Sequence, residues 1–210
     1  MRSISIISNS EDQIFQDAVK TNDGLFIIWK DLRGVDADIY SQHISFDGNN
    51  LSGPVNGIAL CEETNDQSGA NSTFIENTNT VTVCWEDFRN GTHWDAYCRS
   101  VDLSSHVVSD EIVLSDEIGD QMNPFLFTSL TNTVLVVWED FRNGSNEYAD
   151  VYFQEIQNNV MTIADDGISV CDEFHNQINP RIDLLTDSSE ISYLIYLIKV
   201  SGQVSVTINS

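Results

Sequence analysis

Trp85-Glu86-Asp87-Phe88-Arg89-Asn90-Gly91 is one of three forms of a single phrase in this chain of 210 residues. The others are Trp29-Lys30-Asp31-Leu32-Arg33-Gly34 and Trp138-Glu139-Asp140-Phe141-Arg142-Asn143-Gly144. Each follows an apolar run and precedes an Asp-x-Tyr: Asp38-Ile39-Tyr40, Asp95-Ala96-Tyr97 and Asp150-Val151-Tyr152. A second element recurs out of phase with the first. Gln13, Gln67, Gln121 and Gln177 lie 54, 54 and 56 residues apart, preceded by Asp12, Asp66, Asp120 and Asn176. A period in the fifties, made of strands and turns, predicts the blades of a β-propeller. The repeat names an architecture and no reaction.

Laid under one another, the repeats predict four strands per blade, A to D. Strand A follows the glutamine. Strand B is the apolar run Leu25–Trp29, Val81–Trp85, Val134–Trp138 or Ile191–Tyr196, rich in the branched and aromatic residues that suit a pleated surface. Strand C carries Asp-x-Tyr. Strand D ends at Cys61, Ser115 or Cys171, six residues before the next glutamine. The blades read as about 13–62, 67–116, 121–172 and 177–209. The fourth lacks a D strand, and Ile4-Ser5-Ile6-Ile7 has the D pattern at the other end of the chain. The expected fold is therefore a single all-β domain, a four-bladed propeller in which residues 2–8 complete the last blade and close the ring. Closure would remove the open sheet edges. Half of an eight-bladed ring is the competing arrangement. Blade four also departs from the motif, Tyr196 standing for the tryptophan and Lys199-Val200-Ser201-Gly202 for the acidic turn.

Acidic residues outnumber basic ones 33 to 9, for a formal net charge of −24. Such a surface repels phosphate backbones and anionic lipid, which excludes nucleic acid as a partner and favours cations, Ca²⁺ among them. Membrane insertion is not expected, because the longest apolar run, Ile191–Ile198, is far short of a spanning helix. Four cysteines form no Cys-x-x-Cys. Cys84 and Cys98 face each other across one hairpin if Trp85 faces Tyr97. That allows a cross-strand disulfide, although separate buried thiols are the commoner outcome.

Strand order A-B-C-D puts the B–C turns and the D–A connections on one rim, the expected binding surface. Trp29, Asp31, Arg33, Trp85, Asp87, Arg89, Trp138, Asp140 and Arg142 read as a structural clamp, repeated in each blade because it supports folding. The residues that vary around these turns are the better ligand candidates: Asp36, His93, Trp94, Glu147 and Tyr148. An exposed Trp94 could stack on a sugar or anchor a protein. Gln13, Gln67, Gln121 and Gln177 suggest a polar collar at the channel mouth. Asp12, Asp66 and Asp120 beside them could hold Ca²⁺ or another cation with oxygen ligands.

The chain has no Gly-x-Ser-x-Gly, His-Glu-x-x-His, phosphate loop or EF-hand loop. Its carboxylates are too many for sequence to select a glycosidase pair. The combined pattern of Asp-Gln, Asn-Pro, Trp-x-Asp-x-Arg-Asn-Gly and Asp-Ile-Tyr-x-Gln resembles a repeat of bacterial secreted and cell-surface β-propeller proteins. The likeness covers Ile4 to Ile208, with Asp38-Ile39-Tyr40-Ser41-Gln42 matching most closely and blade four departing most. It implies a propeller at an extracellular or cell-surface site, and no activity. The expected function is a non-enzymatic binding or adhesion module for a glycan or protein. The alternatives are a structural assembly unit of a fibre or larger propeller, and a glycan-acting hydrolase akin to five-bladed glycosidases; the chain is expected to be a monomer or to self-assemble. No sialidase Asp-box supports the hydrolase.

Overall fold

The computed structural model describes residues 5, 7, 10–47, 51–143, 148–171, 176–186, 191–199 and 202–209. The protein is all-β and propeller-like, with four antiparallel sheets following one another along the chain. The first holds β1 (Gln13–Lys20), β2 (Gly24–Asp31), β3 (Asp38–Ser45), β4 (Leu51–Ser52) and β5 (Ile58–Cys61). The second holds β6 (Gln67–Ile75), β7 (Thr80–Asp87), β8 (Asp95–Asp102) and β9 (Ile112–Ser115). The third holds β10 (Gln121–Thr128), β11 (Val134–Asp140), β12 (Asp150–Gln157), β13 (Val160–Met161) and β14 (Ile168–Cys171). The fourth holds β15 (Gln177–Thr186), β16 (Ile191–Lys199) and β17 (Gly202–Asn209).

One register runs through the repeats. Each glutamine sits opposite the last residue of the next strand: Gln13 opposite Asp31, Gln67 opposite Asp87, Gln121 opposite Asp140 and Gln177 opposite Lys199. A bulge follows in every first strand, with Gly69, Asn123 and Asn179 at positive φ in blades two to four. The same register corrects the reading of blade four. Leu197, two residues before Lys199, holds the position of the tryptophans, and Tyr196 holds that of Val137.

The core lies between blades, because the second strand of each blade is apolar on both faces and must be covered twice. Phe26, Ile28 and Ile39 of blade one pack on Val81, Val83 and Trp85 of blade two. Cys84, Cys98 and Leu114 pack on Leu126, Val136 and Trp138. Leu135, Val137 and Phe153 pack on Ile182 and Ile195. Cys84 and Cys98 lie directly opposite in the ladder and form a disulfide inside the second interface. Cys61 and Cys171 are buried free thiols.

The expected sealing of the ring is corrected at the leading face of blade one. Leu25 is 37% exposed, whereas its equivalents Val81 and Val134 are 0% and 1% exposed. Ala18 is exposed where Leu126 and Ile182 are buried, and Phe15 beside it is 65% exposed. A blade docked there would bury these positions as it does in the other three. The proposed closing strand, Ile4–Ile7, falls largely outside the described residues.

Candidate functional site

The repeated phrase folds into the same unit three times. In blade two, the Trp85 Nε1–H donates to Asp87 Oδ2 at 3.0 Å and the Arg89 amide to Oδ1 at 2.9 Å. Arg89 Nη2 donates to Oδ2 at 2.6 Å, and the guanidinium lies 3.9 Å from the centroid of the Tyr97 ring. Blades one and three repeat the stack, Arg33 over Tyr40 and Arg142 over Tyr152, both at 3.9 Å. Burial alone would raise Asp87, but the bonds from Arg89 and Trp85 prevail and hold its pKa below the ordinary carboxylate value. Asp31 behaves alike, with Arg33 and Trp29 as the donors. Gly57 and Gly167 lie under the indoles, where an added Cβ would come within 2.4 and 2.3 Å of a Trp29 or Trp138 ring carbon. Blade two has Glu111 at that position, and Arg89 pairs with it at 2.7 Å.

The Asp-Gln elements join one blade to the next. Asp66 accepts the Ala37 amide at 3.0 Å, Asp120 the Trp94 amide at 2.9 Å, and Asn176 the Ala149 amide at 2.8 Å. The D–A connections and the B–C turns therefore do share a rim. Asp66 and Asp120 are each engaged by a different backbone amide, and Asp12 is exposed beside blade one. These aspartates do not fit a shared cation site. No group of three or more potential metal ligands stands together among the described residues. Gln67, Gln121 and Gln177 are 0% exposed, so they form no collar at the channel mouth. The Gln67 amide donates to Asn65 O at 2.8 Å, and that of Gln121 to Gly119 O at 2.8 Å. Gln13 is partly exposed and donates to Glu11 O.

The variable rim residues are dispersed rather than gathered. Trp94 folds onto Phe88 of its own hairpin, with ring centroids 5.1 Å apart, and is half-buried. His93 Nδ1 lies 2.8 Å from Asn90 Nδ2. Asp36 accepts the Asn65 amide at 3.1 Å. Tyr148 is 43% exposed, and Glu147 lies outside the described residues. His93 and Asp120 border an open rim hollow with Thr92, Ile118 and Gly119, and neither Tyr148 nor Asp36 lines it.

A different site lies where the first strands of all four blades meet. A cavity of about 190 Å³ is lined by Gln16 of β1, Gly69, Ala70 and Asn71 of β6, Asn123, Pro124 and Phe125 of β10, and Arg181 of β15. Behind its wall stand two glutamates from the repeated phrase. Glu86 is 7% exposed and packs against Gly69, where an added Cβ would meet its carboxyl carbon at 2.4 Å. Its Oε1 accepts the Asn123 amide at 2.8 Å. Glu139 is 5% exposed and accepts the Asn179 amide at 2.8 Å. Burial raises the pKa of both. The negative charges of Glu139 and Asp120 push Glu86 further up, while the Asn123 amide and Lys30 pull it back. Glu139 is drawn down by the Asn179 amide, the Asn123 side chain and Arg181.

The equivalent positions hold Lys30 in blade one and Ile198 in blade four. Only the two middle blades contribute a carboxylate. Asp38 and Asp95 are also pushed up to about 6, chiefly by burial. They sit at one repeated position in separate blades, opposite Asp31 and Asp87, and belong to the clamp. Sequence reading passed over Glu86 and Glu139 as the variable middle letter of the phrase. The available signal was that this letter alternates between lysine and glutamate beside invariant neighbours.

No family model and no curated protein matches the chain. Solved structures do. An endo-arabinase from Bacteroides thetaiotaomicron superposes with a TM-score of 0.52 at 9% identity, over 92% of this chain and 73% of that one. A family 117 glycoside hydrolase from the marine bacterium Zobellia galactanivorans gives 0.52 at 7% identity, over 100% and 74%. The α-L-arabinofuranosidase of Podospora anserina, solved with cellotriose, gives 0.51 at 10%, over 98% and 65%. At these identities the likeness is one of fold. It overturns the expectation of a non-enzymatic binding or adhesion module, and with it the expectation that the chain is no enzyme, because these three neighbours are glycan-acting enzymes.

Proposed function

We propose that this chain is a glycan-acting hydrolase whose substrate enters the axial cavity. The observation that carries the reading is the placement of Glu86 and Glu139 directly behind the cavity wall, buried and with raised pKa. Glycoside hydrolysis needs two carboxyl groups flanking one bond, one holding a proton to give to the leaving oxygen and the other ionised. Different surroundings divide such roles between similar side chains. Glu86, raised by burial and by the charges of Glu139 and Asp120, is suited to hold the proton. Glu139, beside Arg181, is suited to the ionised role and takes the proton of the attacking water. The Asn123 and Asn179 amides fix each carboxylate through one oxygen. Asn71, Asn123 and Gln16 offer donors and acceptors for sugar hydroxyls.

Fold likeness to an endo-arabinase and an α-L-arabinofuranosidase supports this reading by analogy. The Cys84–Cys98 disulfide supports an oxidising, extracytoplasmic setting. The test is release of reducing ends from a panel of arabinan, xylan, galactan, agarose and uronic-acid polysaccharides. Glu86→Gln and Glu139→Gln keep an amide-accepting oxygen and should each reduce turnover by at least a hundredfold with little loss of melting temperature. Activity that survives both substitutions, or no release from any glycan, would end the proposal.

A further inference from the structure

Following one register position around the axis brings four different side chains together. Asp17 of β1, Asn71 of β6, Phe125 of β10 and Arg181 of β15 occupy equivalent places, opposite Ile28, Cys84, Val137 and Tyr196. The first two are engaged in the fold. Asp17 Oδ2 accepts the Ser72 amide at 2.8 Å and its hydroxyl at 2.7 Å, and Asn71 Oδ1 accepts the Leu126 amide at 3.1 Å. Phe125 and Arg181 cannot accept an amide from the next blade. They turn instead to each other, the guanidinium lying 4.7 Å from the ring centroid. Arg181 Nη1 donates to Pro180 O at 2.8 Å. Among the described residues, that bond occupies one of its five donors.

Arg181 lines the axial cavity with Phe125, Asn71, Asn123 and Gln16, and no carboxylate stands among the lining residues. The chain carries 9 basic against 33 acidic side chains. A field of that sign repels anions at long range, so an anionic ligand needs a fixed cation at the point of contact. A guanidinium held over an aromatic ring keeps its remaining N–H groups in a limited set of directions, and its planar fork suits a carboxylate in two-point contact.

We infer that Arg181, seated on Phe125, selects a glycan bearing a carboxylate, a uronic acid unit, at the axial cavity. The inference rests on the hydrolase reading for its site and adds the substrate class. At about 190 Å³ the cavity suits one sugar unit rather than a threaded segment, and Gln16, Asn71 and Asn123 line it beside that unit's hydroxyls.

The test is calorimetric titration of the whole chain with trigalacturonate and with its methyl ester, which keeps the sugar backbone, adds one methyl per unit and carries no charge. The wild type should bind the acid at least tenfold more tightly than the ester, with a preference that shrinks as salt rises. Arg181→Met should remove that preference without moving the melting temperature, and Arg181→Lys should restore part of it. Equal binding of acid and ester, tighter binding of neutral arabino- or xylo-oligosaccharides, or an unchanged preference in Arg181→Met would each overturn the inference. Cleavage of neutral glycans with no preference for uronate-bearing ones would sink it while leaving the hydrolase reading intact. Arg181-dependent binding of the acid with no glycan cleaved would do the reverse.

Discussion

Replacing Asp87 by alanine tests whether the repeated phrase holds the fold together. Asp87 is fully buried and accepts from the Trp85 indole, the Arg89 amide and the Arg89 guanidinium. Removing the carboxylate leaves an indole N–H and a main-chain N–H without acceptors. It also takes one of two carboxylate partners from a guanidinium that stays stacked on Tyr97. Breaking a buried ion pair from one side costs about 3–5 kcal/mol. Glu111 remains 2.7 Å from Arg89, so about 3 kcal/mol, the lower end of that range, is expected. For a chain of this size that is a fall in melting temperature of about 6–12 °C.

The pH dependence fixes the cause. Asp87 has a folded-state pKa below its unfolded value, so its contribution is complete above the unfolded value of about 3.9 and is lost as pH falls through the folded one. Melting followed by Trp fluorescence should show a constant gap between wild type and Asp87→Ala from pH 7 to about pH 5. That gap should narrow steadily on further acidification. A fall of less than about 2 °C at pH 7, or a gap that widens in acid, would refute the clamp as the repeat's structural purpose.

Reduction of Cys84–Cys98, whose cysteines are 14 residues apart, should lower stability by about 3 kcal/mol; equal denaturation midpoints with and without dithiothreitol would contradict this. Gly167→Ala would drive a Cβ to 2.3 Å from the Trp138 ring at a φ of +71°, costing at least about 2 kcal/mol through strain and overpacking together. A neutral effect in chemical denaturation would mean that the indole has room to move. Glu86 has a raised folded-state pKa, so its favourable contribution is present in acid and is lost as pH rises through the folded value. Glu86→Gln should therefore be less destabilised than the wild type on going from pH 5 to pH 8, and parallel stability profiles would show that Glu86 is not the titrating group.

The clamp was legible in the chain because its parts are local. Trp, Asp and Arg at spacings of two stand at the end of one strand, and the paired strand brings Tyr97 opposite Trp85. Strand order and the shared rim followed from the same repetition. The axial site was not legible. Glu86 and Asn123 lie 37 residues apart, and Glu139 and Asn179 lie 40 apart. They meet only because each blade leans its second strand on the bulge of the next blade's first. The glutamines misled for a related reason. Their polarity suggested a channel mouth, but the register turns them inward to satisfy the carbonyls of their own loops.

The chain by itself determined what repetition can carry: an all-β fold, a strand order, and a clamp written three times in adjacent letters. Only the tertiary structure decided where the odd residues fall, since Asp17, Asn71, Phe125 and Arg181 share no motif and become equivalent through ladder register alone. It also decided the state of Glu86 and Glu139, because removal from water raises both, and the approach of Glu139 and Asp120 raises Glu86 further, only once separate blades have packed.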